Sequence, residues 1–187
     1  MAFEPARFRF WLIYRTFWWA LGCLQMGEMW RSGVDRSLER VVVARRTAEQ
    51  ELDLLLLLEE QAPAAERARA LPAATAPLAA SGGEPSAAEM LTAVSEWLAS
   101  DIKPLVSGRG KFDLAVARNA LGIVTRELHQ RPLASDAALA ADLLGGKADL
   151  ATPGVLARLR RMALEKLSAD MPKYPALAAA RALWEGP

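Results

Sequence analysis

The sequence holds one cysteine, Cys23, and one histidine, His129. A single cysteine excludes an internal disulfide and points to a reducing compartment. One cysteine and one histidine also exclude a structural zinc site built on the usual four N and S ligands. Charge of one sign is missing too: 23 Lys and Arg stand against 22 Asp and Glu, so the chain offers no basic field for nucleic acid. No uncharged apolar run reaches the about 20 residues that a membrane-spanning helix needs. The greasy segment 8–30 is interrupted by Arg9, Arg15, Gln25 and Glu28, which leaves only 16–27 uncharged. It does not read as a signal peptide, because Glu4 precedes it, its aromatics are bulky and no small-residue cleavage site follows. The expectation is a cytoplasmic protein with no membrane span and no nucleic-acid partner.

β-branched residues are sparse outside 41–43, whereas alanine is abundant. Alanine loses no side-chain entropy in a helix, so the bias predicts an all-α fold. Hydrophobic residues at 52% of 187 are ample for a core. Three segments differ in character. Residues 1–60 are rich in tryptophan and then leucine. Residues 61–85 are mostly Ala, Pro, Gly and Ser, with Pro63, Pro72, Pro77, Pro85 and Gly82-Gly83, and predict a disordered or extended linker. Residues 86–187 predict an antiparallel bundle of four to five helices.

In the first segment, a helix over 5–30 closes at Ser32-Gly33, with Trp11, Tyr14, Trp18, Leu21 and Leu24 forming a stripe at three- and four-residue steps. A second helix is expected from an Asp35 N-cap to about Glu60, its stripe being Leu38, Val41 or Val42, Ala48, Leu52 and Leu55. Together these make an αα-hairpin, too thin to bury its own aromatics. Trp11, Trp18 and Trp19 are therefore expected to form an interface.

The bundle opens with the capping-box spacing Ser86-Ala87-Ala88-Glu89. Leu91, Val94, Leu98 and Ile102 follow as a buried stripe, and Pro104, Gly108 and Gly110 end that helix. Residues 111–130 should form a central helix contacted on two sides, with Phe112, Val116, Asn119 and Ile123 on one face. A helix over 135–144 ends at Gly145-Gly146, and Thr152-Pro153 opens one running to Asp170. A short alanine-rich helix ends at Trp184.

Chemistry-bearing residues are few. His129 reads as a helix C-terminal cation favoured by the dipole rather than a general base, and Cys23 as a small buried hydrophobe. Asn119 would pin helices or touch a ligand. Arg118 with Arg126, and Arg158, Arg160, Arg161 and Lys166, form two basic groups able to hold phosphates such as those of coenzyme A; a solvated helix face is the plainer reading of each. The loop Ser107-Gly108-Arg109-Gly110 lacks the Lys-Ser/Thr of a P-loop. No residues stand out as catalytic or metal-binding, and no cofactor is indicated.

Several motifs carry a resemblance. Ala88-Glu89-Met90-Leu91, Ser107-Gly108-Arg109 with Lys111-Phe112, Val116-Ala117-Arg118-Asn119-Ala120-Leu121, Arg126-Glu127-Leu128 and Asp170-Met171-Pro172-Lys173-Tyr174 resemble a family of small bacterial proteins catalogued as a domain of unknown function. The likeness covers 86–174. A member of that family is the small partner subunit of the ATP-dependent kinase that phosphorylates 4-hydroxyacyl-CoA in levulinate-type catabolism. The amino-terminal segment, through Phe10-Trp11, Trp18-Trp19, Arg45-Arg46, Glu49, Glu51 and Asp53-Leu54-Leu55, is similar to the last two helices of that kinase's aminoglycoside-phosphotransferase-like large subunit. The His-x-Asp, Asn and metal-binding Asp of such kinases have no counterpart in this segment.

The resemblance implies a non-catalytic accessory subunit partnered by such a kinase chain, with acyl-CoA as a further ligand. Arg109, Phe112, Arg118, Asn119, Arg126, Glu127 and Tyr174 would be its ligand-binding or structural motif residues. The alternatives are a helical interaction or homo-oligomerisation module without a kinase link, and an enzyme using Asn119, Arg126, Glu127 and His129 on a small molecule.

Overall fold

The computed structural model describes residues 4–76, 83–130 and 136–186, and all regular structure among them is helical. The α-helices are α1 (Pro5–Arg31), α2 (Leu38–Arg45), α3 (Thr47–Leu58), α4 (Ala64–Arg67), α5 (Ala87–Trp97), α6 (Gly108–His129), α7 (Ala137–Leu144), α8 (Val155–Asp170) and α9 (Pro175–Trp184). The chain divides into two compact units, one formed by Met1–Gly22, Thr47–Ala74 and Leu133–Pro187, the other by Cys23–Arg46 and Thr75–Pro132. Each unit takes pieces of both the amino-terminal and the later chain, so the units are drawn differently from the segments 1–60, 61–85 and 86–187.

The first unit is built where α3 packs against α8 and α9. Its core joins Ala48 and Leu52 of α3, Ala163, Leu164 and Leu167 of α8, and Leu177, Ala180 and Trp184 of α9. Each fully buried leucine contributes about 1.5–3 kcal/mol relative to exposure. Polar ties flank this core. Glu59 Oε2 accepts from Arg160 Nε at 2.9 Å, Arg160 Nη2 at 2.7 Å and Trp184 Nε1 at 2.8 Å. The remaining side of the guanidinium donates to the Arg67 carbonyl at 2.9 Å.

The expected linker is corrected in its first part. Ala64–Arg67 forms a helical turn and Glu66 is buried. The cause is charge-assisted bonding: Glu66 accepts from the Gly154 N–H at 2.7 Å and from Arg69 at 2.8 and 2.5 Å. Residues 69–76 have no regular structure, and 77–82, with Pro77 and Gly82, lie outside the described residues. Gly154 also corrects the start of α8. It sits at φ +81° and is the N-cap, a backbone conformation that glycine adopts without Cβ strain. Thr152 instead accepts from the Asp149 N–H at 3.0 Å, in the preceding turn. Asp136 caps α7 by accepting from Leu139 N–H; Ser135, its expected start, is outside the described residues.

In the second unit α6 packs against both α5 and α2, which gives it two covered sides. It begins three residues earlier than expected, at Gly108, behind Ser107. The α5 stripe is a correction: Val94 is exposed, while Leu91, Leu98 and Ile102 are only partly covered and Ala88 is the buried residue of that helix. The helix does not stop cleanly but widens into a π turn over Leu98–Ile102 and then tightens into a 3-10 turn over Lys103–Leu105. Ser86 and Glu89 form the reciprocal capping box.

The long second helix is also corrected, because it breaks at Arg46, whose N–H bonds to the Val43 carbonyl at 3.0 Å in the three-residue pattern of a tightened turn. Asp35 does not cap it. Its carboxylate accepts from Ser37 N–H at 2.9 Å and Arg40 Nε at 2.6 Å, and α2 starts after Ser37.

Candidate interaction surface

α1 is turned the other way round from the usual amphipathic helix. Ala20, Cys23 and Gly27, at three- and four-residue steps, are its buried residues. The stripe of large side chains lies on the outward side: Trp11 is 49% exposed, Tyr14 47%, Trp18 51%, and Leu21 and Leu24 are exposed as well. Small residues allow close backbone approach. A Cβ added at Gly27 would stand 3.2 Å from the Ala44 Cβ of α2, so no large side chain fits at position 27.

Within the first unit, α1 runs antiparallel to α3. Arg9 donates to the Leu57 carbonyl and pairs with Glu60, at the carboxy-terminal end of α3, where a cation also suits the helix dipole. Further along, Arg15, Thr16, Trp18 and Trp19 of α1 line a shallow cleft with Gln50 and Asp53 of α3. Trp19 is partly buried on this side. Tyr174 donates to Asp53 Oδ2 at 2.6 Å. Burial pushes the Asp53 carboxyl above its usual range, the Tyr174 hydrogen bond opposes this, and the nearby Glu49 charge adds to it.

The outward rings are ordered against one another. Phe10 meets Trp11 edge-on at 5.4 Å and lies parallel to Tyr14 at 6.3 Å, while Trp11 and Tyr14 meet edge-on at 5.6 Å. The Arg15 guanidinium sits 5.0 Å from the Trp18 ring centroid. Such ring and cation contacts fix the side chains before any partner arrives, which reduces the ordering cost of association.

The motif residues do not converge on one pocket. Arg109 is exposed, bonded to Asp113 at 2.8 Å and Glu39 at 3.1 Å, with its guanidinium 4.7 Å from the Phe112 ring centroid. Arg118 donates to the Ser95 carbonyl at 3.2 Å. Asn119 and Arg126 are partly buried, Glu127 pairs with Arg45, and His129 is exposed at the end of α6. Tyr174 belongs to the other unit, against Asp53.

The basic group on α8 is corrected as a phosphate holder, because its cations already have partners. Arg160 is committed to Glu59 and Arg161 to Glu185, while Lys166 pairs with Glu51 and Arg158 with Asp136. Sequence reasoning passed over Arg7 and Arg15, although their spacing from Trp11 and Trp18 carries the signal. Among the described residues no three His, Cys, Asp or Glu side chains gather where they could hold a metal, and no helix is long and apolar enough to cross a membrane. No family model, curated protein or solved structure matches the chain.

Proposed function

We propose that this chain is a non-catalytic helical subunit of an ATP-dependent hydroxyacyl-CoA kinase complex, docking through the outward face of α1 on a kinase chain of the aminoglycoside-phosphotransferase type. On this reading α1 presents the docking face, while α3 belongs to the core it shares with α8 and α9 and α2 packs on α6. The kinase link rests on the motif resemblance. The docking role is supported by one observation: Phe10, Trp11, Tyr14, Phe17 and Trp18 stay exposed on one helix. Exposed apolar patches of this kind mark interaction sites, and Trp, Tyr and Arg dominate interface energetics.

The test is co-purification of the full chain with a kinase chain of the aminoglycoside-phosphotransferase type from the same genome, followed by assay for ATP-dependent phosphorylation of 4-hydroxyacyl-CoA. Binding is expected, with turnover in the mixture and none by this chain alone. Turnover by the purified chain alone, or failure to bind, contradicts the reading. The second reading, an oligomerisation module with no kinase link, is favoured by a further exposed stripe, Met90, Val94 and Trp97 of α5. Concentration-dependent self-association with no kinase binding supports it.

A further inference from the structure

Arg7 and Arg15 share the outward face of α1 with the rings. Helical positions advance about 100° per residue, which projects Arg7 between Tyr14 and Trp18 and puts Arg15 between Trp11 and Phe8. Both arginines are exposed. Neither has an ion pair among the described residues; Arg15 lies over the Trp18 ring and at the rim of the cleft that Gln50 and Asp53 also line. Arg9, on the opposite side, is tied to Leu57 and Glu60. Between Glu4 and Glu28 the helix carries no acidic residue at all.

Resting on the reading of α1 as the kinase-facing helix, we propose that the surface covering it is an apolar groove carrying carboxylates opposite Arg7 and Arg15. Arg7 stands one turn before Phe10 and Trp11, at the i+3 and i+4 positions, so a surface that covers those rings also strips water from Arg7. A dehydrated guanidinium without a counter-charge opposes binding strongly, whereas a carboxylate takes its planar fork by two parallel bonds. The rings then supply affinity, and the arginines supply register and association rate.

A second copy of α1 does not meet this requirement, since a helix without acids between Glu4 and Glu28 would set arginine against ring or arginine. A planar anionic surface meets the charge but not the shape. Exposed apolar side chains run from Phe17 through Tyr14 and Trp11 to Phe8 and Leu12, well over half the circumference, which a groove embraces.

The experiment titrates the full chain with a kinase chain of the aminoglycoside-phosphotransferase type from the same genome at about 0.05 and about 0.5 M salt. It compares wild type, the double variant Arg7→Glu with Arg15→Glu, the conservative pair Arg7→Lys with Arg15→Lys, and Trp18→Ala. Wild-type affinity should fall about tenfold or more with salt, and the glutamate pair should lose at least about tenfold at low salt and most of its salt dependence. The lysine pair should keep the salt dependence, and Trp18→Ala should lose affinity while keeping it. If the glutamate pair binds and responds to salt like wild type while Trp18→Ala binds weakly, the carboxylate groove is wrong and the docking reading stands. If wild type does not bind the kinase, and instead sediments with phosphatidylglycerol vesicles or self-associates, both are overturned.

Discussion

Arg160 and Glu59 meet through two bonds to one carboxylate oxygen, at 2.9 and 2.7 Å, with side-chain exposures of only 5% and 12%. The same oxygen takes the Trp184 indole N–H, and the guanidinium lies 5.4 Å from that ring's centroid. The pair thus ties the end of α3 to α8 and α9 at the edge of the first unit's core. Glu59→Ala strands a buried guanidinium and should destabilise the chain by about 3–5 kcal/mol in urea unfolding. Glu60→Ala, one residue on and largely exposed, should cost about 0–1 kcal/mol. Equal effects would show that burial of this pair is not what matters.

The acid response follows from two carboxylates. Glu66 is held down to about 2, from an ordinary 4.5, by Arg69 first and then by the Gly154 N–H. Asp35 is held down to about 2, from an ordinary 3.8, by Arg40 first and then by the Ser37 N–H. A carboxyl with a depressed folded pKa contributes stability that is fully present above its unfolded value and is lost as pH falls through the folded one. Stability should therefore be flat at neutral pH and decline from 4.5 down to about 2. Glu66→Gln should be less stable at neutral pH and decline less steeply in that window. An unchanged acid profile in urea unfolding measured across pH would contradict this role.

The helical character and many helix ends were legible in the sequence, because they depend on local chemistry. The Ser86–Glu89 capping box, the turn at Gly33 (φ +82°) and the end of α9 at Trp184 are each read within a few residues. Orientation was not legible, because it depends on tertiary fit. On α1 the buried side is made by the small residues Ala20, Cys23 and Gly27, which hydrophobic spacing alone did not single out. Arg160 looked like a surface cation, and only Glu59, far away in sequence, reveals it as a buried one. Glu66 likewise sits in a stretch whose composition reads as linker, and its partner Gly154 is remote. Of the candidate surface, Trp11 and Trp18 were legible as interface residues to be tested, whereas Arg7 and Arg15 emerged only once the exposed face was known.

The small-residue side of α1 gives a separate check. Gly27→Leu would drive a side chain into the Ala44 Cβ, which is 3.2 Å from even an added methyl carbon. It should destabilise the chain by about 1–3 kcal/mol, as overpacking does. Leu24→Ala, on the exposed side, should change stability by no more than about 0.5 kcal/mol. Thermal unfolding of the two variants decides which side of the helix is packed.

The outward rings of α1 are tested most directly by Trp18→Ala, with its affinity for the kinase chain and its own melting temperature measured on the same preparation. Half of Trp18 is exposed in the chain alone, so folding should lose no more than about 1 kcal/mol. Binding should lose about 2 kcal/mol or more, roughly thirtyfold in Kd, as for an interface hot spot. A melting temperature that falls sharply while kinase affinity stays at the wild-type value would contradict the docking role and return Trp18 to the chain's own core.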